Sequence, residues 1–212
     1  MRHDLPALQA AAPAPVLWSP CGEAPLGPAP APAQCVIALH ASGSSARQWR
    51  ALAARLEAGA ASNPGLRLIA VDLHDHGVGP AWTSDGRARP PLRLEDEAAL
   101  VAPLLAAAGR RSDAAEGGGV HLVGHSYGGA VALKIAAQYP QHVRSLVLYE
   151  PVAFCLLLDD AASHAEAAEA LAITAGMQRC LERADREGAA EHFVDYWSGD
   201  GTWAARWTWS PG

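Results

Sequence analysis

The hydrophobic and polar positions divide the chain into segments of different period. Cys35-Val36-Ile37-Ala38-Leu39-His40 is a nearly continuous apolar run, as expected of a strand covered on both faces. After a polar loop, Ala41-Ser42-Gly43-Ser44-Ser45, the residues Trp49, Leu52, Ala53 and Leu56 recur at helical spacing and end at Gly59. Leu66-Arg67-Leu68-Ile69-Ala70-Val71-Asp72 predicts a second strand. Leu94, Ala98, Val101 and Leu105 form a helical stripe that opens with Glu95-Asp96-Glu97, acids suited to a helix N-terminus. Pro103 removes a bond inside that helix and should kink it. Gly117-Gly118-Gly119 leads into Val120-His121-Leu122-Val123, a third strand. Ala130, Leu133 and Ala137, broadened by Val131 and Ile135, predict a mostly buried helix that stops at Tyr139-Pro140. His142 to Pro151 supplies a fourth strand. Strands alternating with helices imply a mostly parallel sheet with right-handed crossovers and helices on both faces, an α/β fold.

The ends differ in character. Residues 1–34 hold half of the sixteen prolines and allow at most a short edge strand, at Val16-Leu17-Trp18. Residues 35–151 form the α/β core. Residues 152–203 are Ala-, Leu- and Glu-rich without a strand pattern, and predict three or four helices. Residues 204–212 read as an irregular, tryptophan-rich tail.

Composition narrows the function classes. The 212 residues suit one domain, with 50% hydrophobic and 18% charged positions. A net charge of −6 argues against nucleic acid as a partner. No apolar run approaches the ~18 residues of a membrane span, and the N-terminus makes a poor secretory signal, so the expectation is a cytoplasmic protein without a membrane partner. Cys21, Cys35, Cys155 and Cys180 are widely spaced and read as buried thiols in a reducing compartment. His74, Asp75 and His76 could suggest a metal, but no third ligand pair accompanies them, and the expectation is no metal.

The most informative stretch is Gly124-His125-Ser126-Tyr127-Gly128, which joins a strand to a helix. A Gly-x-Ser-x-Gly sequence in that context is a nucleophile-elbow signature. The turn is so tight that side chains two residues before and after the serine would collide. Ser126 would project its hydroxyl above the sheet, with the helix N-terminus behind it. The alternative is a Gly-rich turn holding a chance serine. The spacing lacks the Gly-x-Gly-x-x-Gly of a dinucleotide site, and Ala130-Val131 stands where a phosphate loop needs Lys-Ser/Thr.

These features resemble the α/β-hydrolase superfamily, and more narrowly its small-molecule hydrolases with a helical cap, from about Cys35 to about Trp203. The resemblance implies attack by Ser126 on a small ester or related acyl substrate, an acyl-serine intermediate and no cofactor. It identifies 41–45 with the oxyanion-hole loop, so that Ser42 and Tyr127 would donate backbone N–H groups. Ala41 departs from the usual glycine. If that position needed a positive φ, the hole would be imperfect. Asp72 to Gly79 resembles the loop after the family's next strand, with Asp75 in place of a glycine. Residues 152–203 correspond to the cap.

A serine needs a base and a group that orients it. Some relatives, such as haloalkane dehalogenases, carry the acid where Glu150 stands; the other reading of Glu150 is a strand-end carboxylate capping a helix of the cap. No histidine fits the base. His40 and His125 match structural positions of the family, His121 falls within a strand, and His164 and His192 lie in the cap region. The chain therefore reads as truncated before its last strands, with an open sheet edge and a tendency to self-associate. The rival function is a non-catalytic hydrolase-like binding protein. A cofactor-free haloperoxidase or a C–C bond hydrolase is a further possibility on the same scaffold.

Overall fold

The structure, a computed structural model, describes residues 17–18, 34–58, 66–82, 90–109, 118–158 and 161–206. Most of the Pro-rich segment, Cys21, Gly117 and residues 207–212 of the expected tail lie outside the described residues.

The sheet follows the apolar runs. Strand β1 is Leu17–Trp18, β2 Gln34–Leu39, β3 Leu66–Val71, β4 Val120–His125 and β5 Val143–Tyr149. The order is β1-β3-β2-β4-β5. The four longer strands are parallel, and β1 pairs antiparallel with β3 at Leu17↔Val71 and Trp18↔Ala70.

Helices cover both faces because β2 and β3 are apolar at consecutive positions. Ile37, Leu39, Ile69 and Val71 pack against α2 (Leu94–Gly109) and α3 (Tyr127–Gln138), through Val101, Leu105, Val131 and Ile135. The alternate residues Val36, Ala38, Leu68 and Ala70 pack with Ala46, Trp49, Leu52, Ala53 and Leu56, from a short 3₁₀ turn (Ala46–Trp49) and α1 (Arg50–Ala58). Helix α2 runs continuously through Pro103. The missing N–H there interrupts the backbone bonding at one place only.

The chain steps from β2 outward to β3, then returns across β2 to β4. The order reverses beside β2, and a crevice opens beyond the carboxyl ends of the strands at such a point. The register pairs Leu39 with Gly124, so the polar loop after β2 and the turn after β4 both begin there.

The chain divides into two compact units, residues 1–152 and 153–212. The second is helical: α4 (Cys155–Leu158), α5 (His164–Glu182), α6 (Arg186–Ser198) and α7 (Thr202–Arg206). Asp185 caps α6 by accepting the Gly188 N–H at 2.8 Å. Asp195 accepts the N–H groups of Gly201 and Trp203 at 3.0 and 2.7 Å, tying α7 to α6. Phe154 stacks on Trp197 with ring centres 6.3 Å apart.

Two expectations need correction. Residues 204–206 belong to α7 and not to an irregular tail, because the carboxylate of Asp195 fixes the start of that helix. Cys155 is an exposed thiol at the start of α4, whereas Cys35 and Cys180 are buried. No described helix is long and apolar enough to cross a membrane.

Candidate active site

The turn after β4 has the geometry that its glycines anticipate. Ser126 adopts φ 52° and ψ −115°, a conformation costly for any residue with a side chain. A Cβ on Gly124 would lie 2.4 Å from the Gly128 carbonyl oxygen, and one on Gly128 would lie 2.3 Å from the Leu39 carbonyl oxygen. Both obstacles are backbone, so neither position admits a larger residue without moving a strand or helix. The Gly128 N–H donates to the His40 carbonyl at 3.0 Å, locking the elbow to the end of β2.

The segment after β5 holds Ser126 from the other side. The Ser126 N–H donates to the Tyr149 carbonyl at 2.9 Å, and the Val152 N–H donates to the Ser126 carbonyl at 3.1 Å. Glu150 lies between these two bonds, with φ 45° and an exposed side chain. Pro151 closes the arrangement: a Cβ on Gly129 would come within 2.9 Å of it. Ser126 itself is half-buried at the carboxyl edge of the sheet.

The 41–45 loop lies beside this turn. Gly43 takes the positive φ, 67°, and Ala41 does not. The alanine therefore sits in ordinary backbone, and the distortion feared at that position does not arise. The Ala41 N–H donates to Gln48 Oε1 at 3.1 Å, and Asp72 Oδ1 accepts the Ala46 N–H at 2.7 Å. Asp72 is buried, and its other oxygen accepts the Val78 N–H at 3.1 Å. One carboxylate thus fixes both the loop after β2 and the loop after β3. Among the described residues, neither the Ser42 N–H nor the Tyr127 N–H donates to another backbone group. Tyr127 is the first residue of α3, where such N–H groups lack helical acceptors.

The histidines around the elbow are largely committed. His40 is fully buried. Its Nδ1–H donates to the Ala41 carbonyl at 2.8 Å and its Nε2 accepts the Leu73 N–H at 3.1 Å, a pattern that only neutral imidazole satisfies. Burial, first of all, pushes this imidazole below its ordinary pKa. His74 Nδ1 donates to Glu97 Oε2 at 2.9 Å, and His76 Nδ1 donates to the His74 carbonyl at 2.7 Å. His121 pairs with Ser145 Oγ across β4 and β5 at 2.7 Å. The His125 ring lies 4.9 Å from that of Tyr149. His164 and His192 belong to the second unit. Among the described residues, no three or more His, Cys, Asp or Glu side chains gather as for a metal ion.

Sequence reasoning passed over Glu97 as one of three acids in a first turn. It is fully buried, and it accepts the Tyr127 O–H at 3.1 Å, the His74 ring at 2.9 Å and the His74 backbone N–H at 3.2 Å. A signal was present: position 97 lies three after Leu94 and four before Val101, on the stripe that faces the core.

Residues 36–211 match the model of the Alpha/beta hydrolase family. Lipase LipV of Mycobacterium tuberculosis is 34% identical over 116 residues, covering 55% of this chain and 36% of the lipase. Esterase Rv0045c of the same organism is 33% identical over 115 residues, covering 54% of this chain and 32% of the esterase. The matches therefore span about a third of the length of these curated relatives. Among solved structures, the esterase EaEST from Exiguobacterium antarcticum aligns with a TM-score of 0.43 at 21% identity, covering 59% of this chain and 40% of its own.

Proposed function

The chain belongs to the α/β hydrolase family, and from that premise we propose that it acts as a serine hydrolase on a small ester or related acyl compound. The observation that carries the reading is the backbone of Ser126, held at φ 52° between bonds to Tyr149 and Val152. A strained serine at the carboxyl end of a sheet, beside a reversal of strand order, suits a nucleophile. The curated relatives named a lipase and an esterase support an acyl substrate.

In the proposed reaction, Ser126 Oγ attacks the carbonyl carbon. The carbonyl oxygen becomes an anion that accepts from the Ser42 and Tyr127 N–H groups. The bond to the alcohol oxygen breaks, and the alcohol leaves with the proton released by Ser126. Water then attacks the acyl-serine, releasing the acid. Two fixed donors suit this charge, and removing one such donor typically costs about 10²–10³ in rate. Glu150 is proposed to orient the base, supported by its position directly between the bonds that clamp Ser126. The helical cap expected for residues 152–203 belongs to the same proposal, supported by the compact second unit, whose described elements are helices.

The base is the gap. Among the described residues no histidine ring hydrogen-bonds the Ser126 side chain, and loss of a triad histidine costs roughly 10⁶ in kcat. That observation favours a second reading, a hydrolase-like binding protein. Hydrolysis of p-nitrophenyl acetate, with the acyl-protein trapped by acid quench and intact mass, separates the two. The hydrolase reading expects an acetyl adduct that Ser126→Ala abolishes. Turnover equal in wild type and Ser126→Ala overturns it. Equal kcat/KM in Glu150→Gln and wild type removes Glu150 from the mechanism.

A further inference from the structure

Tyr127 is the one residue at the elbow whose backbone and side chain face different tasks. Its N–H is the proposed oxyanion donor from α3. Its phenol donates to a carboxylate on α2 at 3.1 Å. That carboxylate, Glu97, is fully buried and accepts from three donors, two of them on the loop after β3. The Tyr127 ring stacks on His76 at 6.3 Å between centroids, and His76 in turn stands 4.9 Å from the His40 ring. The His74 ring, held by Glu97, meets Trp82 edge-on at 5.4 Å. Burial, first, and then the Glu97 charge raise the phenol well above its ordinary pKa, so it remains a donor.

A buried carboxylate is retained against a desolvation cost only when its lone pairs are satisfied. The packing of α2 on α3 already has apolar contacts, such as Val101 and Leu105 with Val131 and Ile135. The tether therefore adds something other than area: a directional bond from the first residue of α3 to α2.

We propose that Glu97 is a positioning residue, which holds the Tyr127 phenol so that the Tyr127 N–H stays aimed at the site of the developing oxyanion. The proposal rests on the hydrolase reading for its catalytic consequence, but not for the tether itself. It makes the loop after β3 and helix α2 part of the apparatus that orders the oxyanion hole. Neither element contributes an atom to the reaction.

The test is Tyr127→Phe in the full chain, which removes one hydroxyl and keeps the ring on His76. Amide hydrogen exchange is followed at Gly128 and Gly129, whose N–H groups bond to His40 and Ser126, with Ile37 and Leu122 as controls. Exchange at the two glycines is expected to quicken about tenfold, the effect of losing one hydrogen bond to a charged acceptor, with the strand controls unchanged. In a Tyr127→Phe and Glu97→Gln double-mutant cycle the two effects should be non-additive. A uniform change at all four amides means a general loss of stability and overturns the proposal, as does no change. The second readout is labelling by a fluorophosphonate: in Tyr127→Phe the maximal rate should fall about tenfold while the half-saturating concentration holds. Labelling unaltered by the substitution overturns the catalytic consequence. A folded wild type that is never labelled overturns the hydrolase reading, and the exchange result then still decides whether the phenol orders the elbow.

Discussion

The Ser126 N–H donates to the Tyr149 carbonyl at 2.9 Å, so the residue at the tip of the elbow is suspended from the end of the neighbouring strand. Three residues later the chain returns, and the Val152 N–H donates to the Ser126 carbonyl. Both peptide groups flanking the Ser126 Cα are thereby fixed, which is how φ 52° persists at a residue with a side chain.

That strain is measurable. Ser126→Gly relieves a backbone conformation worth roughly 1–3 kcal/mol and costs about 0.5–1 kcal/mol in unfolded-chain entropy. The variant should gain about 1 kcal/mol, raising Tm by roughly 2–4 °C. A drop in Tm would mean that the serine side chain stabilises the turn and that its conformation stores little strain.

His40 makes the fold sensitive to acid. Its folded-state pKa lies below the ordinary 6.5, and its Nε2 must remain unprotonated to accept the Leu73 N–H. Above 6.5 both folded and unfolded chains carry neutral imidazole, and the full stability is present. Below 6.5 the unfolded chain binds a proton that the folded chain resists, so stability falls as pH drops toward the depressed value. Urea titrations from pH 7.5 to 5 should show this decline, and His40→Asn should flatten it at a cost of about 1–3 kcal/mol at pH 7. An identical slope in the variant would assign the acid sensitivity elsewhere.

Strand β5 pairs only with β4 among the described residues, and Val147 and Tyr149 are 55% and 60% exposed. An apolar strand with one unpaired edge is a template for association. Light scattering should report self-association that grows with concentration, and Val147→Lys should shift the protein toward monomer. A clean wild-type monomer at high concentration contradicts this expectation.

The strands from 35 to 149 were legible because a doubly covered strand must be apolar at consecutive positions, and Ile37-Ala38-Leu39 and Leu68-Ile69-Ala70 have no other use. The tight turn after β4 was legible because only glycine fits where Gly124 and Gly128 meet backbone. Glu97 was not: a helix N-terminus explains an acid there without any tertiary contact, and its partners lie 23 and 30 residues away in sequence. The state of His40 was hidden for a related reason. Its acceptor role needs the N–H of Leu73, 33 residues on, and no local spacing encodes that pairing. The concern over Ala41 assumed that the family's usual glycine there serves φ, whereas Gly43 carries the positive angle in this chain.

The central claim is that Ser126 is a nucleophile, and covalent capture tests it most directly. Wild-type protein and Ser126→Ala, both shown to be folded, are incubated with a fluorophosphonate and examined by intact mass and peptide mapping. A single phosphonyl adduct on Ser126, absent from the alanine variant, is the predicted result. An adduct that persists in Ser126→Ala, or a folded wild type that never acquires one, contradicts it.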